Sequence, residues 1–265
     1  MPSNDIRPDG RRGDELRKTT LKRRFTTTPH GSVLIRAGGT HVLCTAMVEK
    51  GVPRFLRDSG QGWVTGEYSM LPGSTPTRKV REAAVGRLEG RTQEIKRLIG
   101  RAMRVAVDLI AIDGYTVWLD CDVLQADGGT RTASITGAYV ALVDALRWMK
   151  GEKLIDALPL RCQVAATSVG MLGGKPTLDL CHAEDSAADV DMNVVMTDGG
   201  RFIEGQGTAE GEPFAGDDLS AMLALAREGI GRLFEAQDRA LRWRRKPWQC
   251  AFAARSCSAA PTRGS

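Results

Sequence analysis

Hydrophobic and polar positions change their period several times along the chain, and three stretches have the period of an amphipathic helix. In residues 92–108, apolar side chains recur at three- and four-residue steps, while Lys and Arg occupy the other face. Residues 130–149 and 219–241 carry similar apolar stripes. The pattern therefore predicts three long helices.

Shorter runs with alternating or β-branched residues predict strands. Gly38 and Gly39 separate residues 33–35 from residues 41–48 and predict a hairpin turn. Six further runs predict strands: residues 60–65, 115–124, 163–171, 177–181, 192–197 and 201–206. Residues 71–81 contain two prolines and a glycine, so we predict a loop there.

The order of these elements predicts an α+β (mixed α/β) fold and not a strictly alternating parallel sheet. We divide the chain into a first subdomain at residues 1–157, a second at residues 158–241 and a tail at residues 242–265. The tail loses periodicity and is rich in Arg, Ser, Ala and Pro, so we expect a disordered basic extension.

Composition and charge narrow the class of protein. The 265 residues are 42% hydrophobic and 26% charged, which is typical of a folded globular protein. The net charge of +5 is strongly segregated: residues 73–104 hold nine Lys/Arg against three Asp/Glu, and residues 105–235 hold nine against twenty-one. Such a division favours contact with a polyanion at specific places.

Several classes are excluded. No apolar run approaches the length of about 18 residues that a transmembrane helix needs, and the start of the chain lacks the apolar core of a secretory signal. The six cysteines form no closely spaced pair and the three histidines are scattered, so no zinc site is expected. We expect reduced, buried cysteines in a cytoplasmic protein.

The start of the second predicted helix is a candidate anion site. Gly128 and Gly129 end a strand, and Thr130 and Arg131 begin the helix. The first backbone N–H groups of a helix lack internal partners, the helix dipole is positive there, and an arginine offers a fork of donors to phosphate. The alternative is an ordinary strand–turn–helix in which Thr130 is the N-cap.

The first predicted helix also begins after a glycine, at Gly90, and carries Arg91. A positive side chain at a helix N-terminus opposes the dipole unless an anion lies nearby. The alternative is a surface helix capped by Thr92.

An acidic cluster at residues 184–191 includes Asp185 and Asp191. Carboxylates at this density repel one another unless they are solvated or bridged by a cation, and oxygen ligands favour Mg²⁺ or Mn²⁺. Asp191 leads into a predicted strand, which would hold it rigidly. The alternative is a solvated acidic loop. The glycine- and glutamate-containing loop at residues 206–214 fits either a site or a simple turn.

A basic tract at residues 75–104 spans the predicted loop and one helix face, and it includes Arg78 and Arg81. Such a run is usually a solvated face. Because it adjoins two candidate anion sites, contact with an RNA or DNA backbone is a competing interpretation.

Together, these motifs resemble the ribonuclease PH family, the phosphate-dependent 3′ exoribonucleases of bacteria. The resemblance runs from about residue 7 to residue 240. The matching stretches are GVPRFL at 51–56, GQGW at 60–63, GRTQEI at 90–95, LDCDVLQADGGTRTASITG at 119–137, EDSAA at 184–188, DMNVVM at 191–196 and QGTAEGEPF at 206–214.

The resemblance implies an activity in which inorganic phosphate attacks the last phosphodiester of an RNA and releases a nucleoside diphosphate, reversibly. It implies a fold with βαβ units similar to the second domain of a small-subunit ribosomal protein. It also implies a homohexamer built as a trimer of dimers, acting on precursor tRNA 3′ ends or ribosomal RNA.

By the same resemblance, the site residues fall on positions already singled out by electrostatics. The implied phosphate-binding residues are Arg91, Gly129, Thr130 and Arg131. The implied metal ligands are Asp185 and Asp191, with Mg²⁺ as the expected ion, and these two carboxylates with Arg91 and Arg131 form the implied catalytic set. The implied RNA-binding residues are Arg78 and Arg81.

The sequence departs from the family pattern at Gly73 and Pro76, where many members carry arginine and histidine, which leaves the grip of that loop on RNA open. Two other functions remain. A metal-dependent hydrolytic ribonuclease would explain the carboxylates but not the two arginine-bearing helix starts. A non-catalytic RNA-binding ring subunit is expected to lack the phosphate arginines or the acidic pair, and this chain has both.

Overall fold

The computed structural model of the chain describes residues 7–243 and 246–248. Within these residues, the first sheet has five strands in the order β1-β2-β3-β5-β4. Neighbouring strands are antiparallel except β4 and β5, which run parallel. The strands of the first sheet are β1 Thr19–Arg23, β2 Gly31–Ala37, β3 Thr40–Lys50, β4 Trp63–Met70 and β5 Tyr115–Gln125.

The second sheet has four antiparallel strands in the order β7-β6-β8-β9. These strands are β6 Val164–Leu172, β7 Lys175–Leu178, β8 Val190–Thr197 and β9 Phe202–Ala209. Glycines 173 and 174, both with positive φ, form the turn between β6 and β7.

Five helices accompany the sheets in the described part of the chain: α1 Glu82–Val85, α2 Gly90–Ala106, α3 Thr130–Gly151, α4 His182–Asp185 and α5 Gly216–Leu241. α3 is central, because it packs on β2 and β3 of the first sheet and on β6 of the second. Its core-facing side chains, including Ile135, Tyr139 and Leu142, are fully buried. α2 covers β4, and α5 covers β6 and β7.

The α+β class, the β2–β3 hairpin and the three long helices are confirmed. The second sheet corrects two sequence predictions. Residues 179–181 are not strand, because Asp179 takes a left-handed conformation at φ 54° and Cys181 precedes α4. Asp191 does not precede a strand but lies inside β8, paired with Gly170 and Thr208. The strand β1 had no clear period and was missed.

The predicted tail begins at residue 242, and its first described residues lie against the body. Arg147 stacks over the Trp243 ring at 4.5 Å, and the Trp248 indole N–H donates to Asp198 at 3.0 Å. The rest of the predicted tail lies outside the described residues.

Four cysteines can be placed. Cys44, Cys121, Cys162 and Cys181 are buried and free of disulfides, and the remaining two lie outside the described residues. No helix among residues 7–243 and 246–248 has both the length and the apolar character needed to cross a bilayer.

Candidate active site

The loop between β5 and α3 is built by two consecutive glycines in the left-handed region, Gly128 at φ 72° and Gly129 at φ 62°. Gly129 is the N-cap of α3, and no side chain caps this helix. The alternative in which Thr130 caps the helix is therefore wrong, because Thr130 is the first helical residue. The first N–H groups of α3 stay available to a ligand.

The carbonyl oxygens of this loop accept hydrogen bonds from other parts of the protein. The Arg17 guanidinium donates to the carbonyl oxygens of Asp127 and Gly128, and the Thr40 hydroxyl donates to Gly128 O at 2.6 Å. Arg17 is itself fixed by an ion pair of 2.7 Å with Asp179. These contacts occupy the carbonyl oxygens of the loop and leave its backbone N–H groups available to an anion.

The start of α2 is arranged in a similar way. Glu89 is the N-cap, no side chain caps the helix, and its first turn contains no acidic residue. Thr92 does not act as the cap, because its hydroxyl donates to the Glu82 carboxylate at 2.6 Å. Glu82 also accepts from the backbone N–H of Glu89 at 3.2 Å. These two hydrogen bonds stabilise the segment that leads into α2. Arg91 is exposed in the first turn of the helix.

Arg131 connects α2, α3 and β9. Its guanidinium donates to Glu94 at 3.2 Å and to the Gln206 side-chain oxygen at 2.9 Å. The side chain is only 11% exposed, so its direction is well determined by its partners.

Tyr68 of β4 lies beside the start of α3. Its hydroxyl lies 2.8 Å from the Thr130 hydroxyl. Burial raises the pKa of Tyr68, while the Thr130 hydrogen bond and the charges of Arg91 and Arg131 oppose that rise. Both arginines therefore lie within electrostatic reach of this one phenol.

The two predicted carboxylates lie beside the same arginines. Asp185 ends α4, and Asp191 lies in β8. Partial burial raises the pKa of Asp185, and repulsion from Asp191 raises it further. Arg91 and Arg131 act against this rise in the Asp185 pKa. Asp191, Arg91 and Arg131, the other residues of the predicted catalytic set, are thus all within electrostatic reach of Asp185.

This carboxylate pair fits a Mg²⁺ ion. Repulsion between Asp185 and Asp191 is the kind that a cation relieves. Mg²⁺ is usually bound through one or two carboxylates together with waters and substrate phosphates. Within the described residues there is no group of three or more His, Cys, Asp or Glu side chains suited to a metal, so a Mg²⁺ ion held by this pair would need further ligands from water or a bound phosphate.

The rest of the acidic cluster is not one solvated loop. Glu184 is buried and forms an ion pair of 2.5 Å with Arg7. Although burial opposes it, bonding to Arg7 lowers the pKa of Glu184 to about 2. Glu184 is therefore a structural residue that joins the N-terminal segment to α4.

Arg78 and Arg81 are exposed in the loop that follows β4. A hydrogen bond from Ala126 N to Ser74 O at 2.8 Å attaches this loop to the connection between β5 and α3. Burial raises the pKa of Asp122 in β5, and the nearby charge of Arg81 opposes that rise. Among the described residues, Arg81 thus acts on Asp122, and the role of both arginines in RNA binding stays a prediction.

Sequence reasoning missed Arg17, Asp179 and Tyr68. The only signal for Arg17 was the excess of basic residues before position 37, which gives no hint of a buried partner 162 residues away. Gln206 had been left undecided between a site and a turn, and its contact with Arg131 favours the site.

Three solved structures share the fold of this chain. An Archaeoglobus fulgidus exosome structure, described as having RNA bound to the active site, matches with a TM-score of 0.74 and 23% identity over 88% of this chain and 92% of that chain. Rice (Oryza sativa) Rrp46 matches with a TM-score of 0.72 and 19% identity over 89% and 100%. An archaeal exosome core matches with a TM-score of 0.68 and 21% identity over 89% and 92%. At these identities, the matches define the fold.

Family models define the class of protein. The model of domain 1 of the 3′ exoribonuclease family matches residues 15–147, and the model of domain 2 matches residues 162–229. The chain belongs to this family, the ribonuclease PH family of 3′ exoribonucleases.

Proposed function

We propose that this chain is a phosphorolytic 3′-5′ exoribonuclease that uses inorganic phosphate to release nucleoside diphosphates from RNA. The observation that carries the proposal is the meeting of two uncapped helix starts, each bearing an arginine, with the carboxylates of Asp185 and Asp191. A hydrolytic nuclease needs only the carboxylates, whereas two anion-binding helix starts suit a nucleophile that is itself phosphate.

In this mechanism, Arg91, Arg131 and the first N–H groups of α3 hold the attacking phosphate. A phosphate oxygen forms a bond to the last phosphorus of the RNA, and the bond from that phosphorus to the preceding 3′ oxygen breaks. The 3′ oxygen takes a proton, and a nucleoside diphosphate leaves. Two anions must be brought together, so the residues act mainly by positioning and by charge compensation.

A Mg²⁺ ion held by Asp185 and Asp191 would offset negative charge on the reacting phosphate oxygens. Arg131 keeps its direction through Glu94 and Gln206, which limits reorganisation when phosphate binds. Because a phosphoanhydride replaces a phosphodiester, the reaction also runs in reverse and adds nucleotides to RNA 3′ ends.

We further propose precursor tRNA 3′ ends as the natural substrate, with ribosomal RNA as a second RNA class, and a cytoplasmic homohexamer arranged as a trimer of dimers. The similarity to exosome structures, one of them described with RNA bound to the active site, supports an RNA substrate and a ring assembly.

The decisive experiment is incubation of a labelled oligoribonucleotide with and without phosphate, with Mg²⁺ present. We expect shortening only with phosphate, nucleoside diphosphates as products, and extension of the RNA when diphosphates are added. Nucleoside monophosphates formed without phosphate would identify a hydrolytic nuclease. RNA binding without turnover would identify a non-catalytic ring subunit.

A further inference from the structure

Two adjoining clefts at the far end of α3 form a strongly basic surface, here called the arginine cleft. The clefts share Arg23 and Arg24, and among the described residues that line them Asp144 is the one carboxylate. The arginines of the cleft are Arg23, Arg24, Arg147, Arg239 and Arg242. The catalytic set described above contributes nothing to this surface.

Two of these arginines are fixed in place. Arg23 donates to Asp144 at 2.8 Å and to the carbonyl oxygen of Ala240 at 3.0 Å. Arg147 lies 3.6 Å from the same carboxylate and donates to Leu241 O at 3.0 Å. They neutralise Asp144 and the carbonyl end of α5, and of the other arginines only Arg239 has a carboxylate partner among the described residues, Glu235 at 3.7 Å in an exposed pair.

Arg24 and Arg242 occupy positions where the backbone favours glycine or asparagine. Arg24 has φ 54° at the end of β1, and Arg242 has φ 53° as the C-cap of α5. Both side chains are exposed, and neither forms an ion pair within the described part of the chain. A left-handed arginine breaks the local conformational preference, and both arginines that do so converge on one cleft. Such departures concentrate at functional positions.

The surroundings suit a nucleic acid. Phe25 is 40% exposed beside the cleft, with the Lys22 ammonium 5.6 Å from its ring centroid. Thr26 and Ser32 present hydroxyls 2.6 Å apart. Exposed aromatic rings among basic side chains are the surface on which single-stranded bases stack while phosphates are neutralised.

We propose that the arginine cleft binds the phosphate backbone of the RNA substrate upstream of the 3′ end that occupies the candidate active site. Arginine forks bind phosphate oxygens bidentately, and the exposed Phe25 ring, on which a base can stack, favours a nucleic acid over an acidic protein. The proposal rests on the proposed function only in taking RNA as the substrate.

The position of the cleft sets a length requirement. Thr130 and Arg147 lie on one helix, about 25 Å apart at about 1.5 Å per residue. At about 3.4 Å per stacked nucleotide, an RNA needs roughly seven nucleotides upstream of the cleaved bond to reach the cleft. Shorter RNAs contact the active site alone.

The first test is equilibrium binding of a 20-nucleotide RNA and a tetranucleotide, without phosphate so that no turnover occurs. The variant is Arg24→Gln/Arg239→Gln, and the matched control is Arg161→Gln, because Arg161 is exposed outside the cleft and the basic tract. For a single strand, each phosphate contact adds about 0.7 to the slope of log affinity against log salt concentration. At 0.1 M salt, the loss of one contact therefore weakens binding roughly five-fold. We expect roughly 25-fold weaker binding of the long RNA and a salt slope smaller by about 1.4, with the tetranucleotide and the control unchanged.

The second test is turnover of the same two RNAs at saturating phosphate. We expect the double variant to raise the KM for the long RNA and to leave kcat and tetranucleotide turnover at the wild-type level. Equal losses for both RNAs, or wild-type binding of the long RNA, would overturn the proposal. Tighter capture of polyglutamate than of RNA, lost in the same variant, would also overturn it in favour of an acidic protein partner. A wild-type protein that binds the long RNA through the cleft but degrades neither RNA would contradict the proposed function alone.

Discussion

At the scale of single residues, the arginines divide into those that the sequence could identify and those that it could not. Arg91 conflicts with the dipole of its own helix, and Arg131 follows a glycine pair, so local electrostatics singles out both. Arg17 has no such local sign, and its role depends on Asp179 and the carbonyls of the α3 loop. A side chain whose partners are far away in the sequence produces no periodic pattern in the residues around it.

Arg91→Ala tests the phosphate site directly. Removing one charged donor from an anion site typically costs 10²–10³ in rate, so we expect kcat/KM for phosphate to fall roughly 100-fold. Binding of RNA in the absence of phosphate should change far less. The measurement is initial rate against phosphate concentration at saturating RNA.

Arg161→Ala is the matched control, because it removes an exposed arginine outside the site. It should leave the phosphate dependence at the wild-type level. An unchanged phosphate dependence in Arg91→Ala would remove Arg91 from the site.

At the scale of elements, the loop before α3 works because a glycine allows two backbones to meet. A Cβ on Gly128 would lie 2.6 Å from Leu180 O and 2.8 Å from His182 N. This contact places α4, and with it Asp185, against the loop between β5 and α3. The sequence showed that a turn is needed there, but only the fold shows which segment the turn touches.

Gly128→Ala should therefore damage both stability and the phosphate site. Gly174→Ala is an internal control, because Gly174 has φ 75° and a Cβ there meets nothing within 4 Å. The control carries only the left-handed strain, about 1–2 kcal/mol. Gly128→Ala carries the same strain and a backbone clash, so we expect a loss of stability at least about 2 kcal/mol larger.

The measurements are urea unfolding and the phosphate dependence of turnover for both variants. Only Gly128→Ala should raise the phosphate KM. Equal losses of stability in the two variants would show that the close approach of Gly128 to Leu180 does not contribute to stability.

The start of α2 shows why element boundaries are hard to predict. The apolar period begins two residues after the helix does, because Gly90 and Arg91 have no core-facing side chain. The Glu82 carboxylate accepts hydrogen bonds from Glu89 N–H and the Thr92 hydroxyl, seven and ten residues later, and these bonds stabilise the turn before the helix. Periodicity reports which face is buried, whereas capping contacts determine where the helix begins.

At the scale of the whole molecule, a buried ion pair joins the N-terminal segment to the second half. Arg7 donates two hydrogen bonds to Glu184, at 2.6 and 2.5 Å, and one to Leu178 O at 2.7 Å. The pair lies next to α4 and therefore supports Asp185.

This pair predicts how stability depends on pH. The pKa of Glu184 falls from 4.5 to about 2 on folding, chiefly through Arg7 against opposing burial. A lowered carboxyl pKa stabilises the fold above the unfolded value, and that stabilisation is lost as pH falls from about 4.5 towards 2. Glu184→Gln should cost about 3 kcal/mol at pH 7, because Arg7 is left buried without its partner.

The check is urea unfolding of the wild type and Glu184→Gln between pH 7 and pH 3. The variant should lose less stability over the acid range than the wild type does. Asp189→Asn, an exposed neighbour in the same segment, should follow the wild-type curve. A parallel acid dependence in wild type and Glu184→Gln would exclude this pair as the cause.

The sequence by itself determined the α+β class, the three long helices and the two arginine-bearing helix starts, because these depend on short-range periods and on electrostatics within one or two turns. It also determined that Asp185 and Asp191 are candidates, since dense carboxylates signal a cation or solvent. Only the tertiary structure decided that Asp185 lies within electrostatic reach of both arginines and that Glu184 pairs with Arg7 instead. It also placed five arginines, from α3 and from β1 and α5 with the residue that follows each, in one cleft. Those outcomes depend on packing between segments far apart in the sequence, from 54 residues between Arg131 and Asp185 to 177 between Arg7 and Glu184, where no local period carries information.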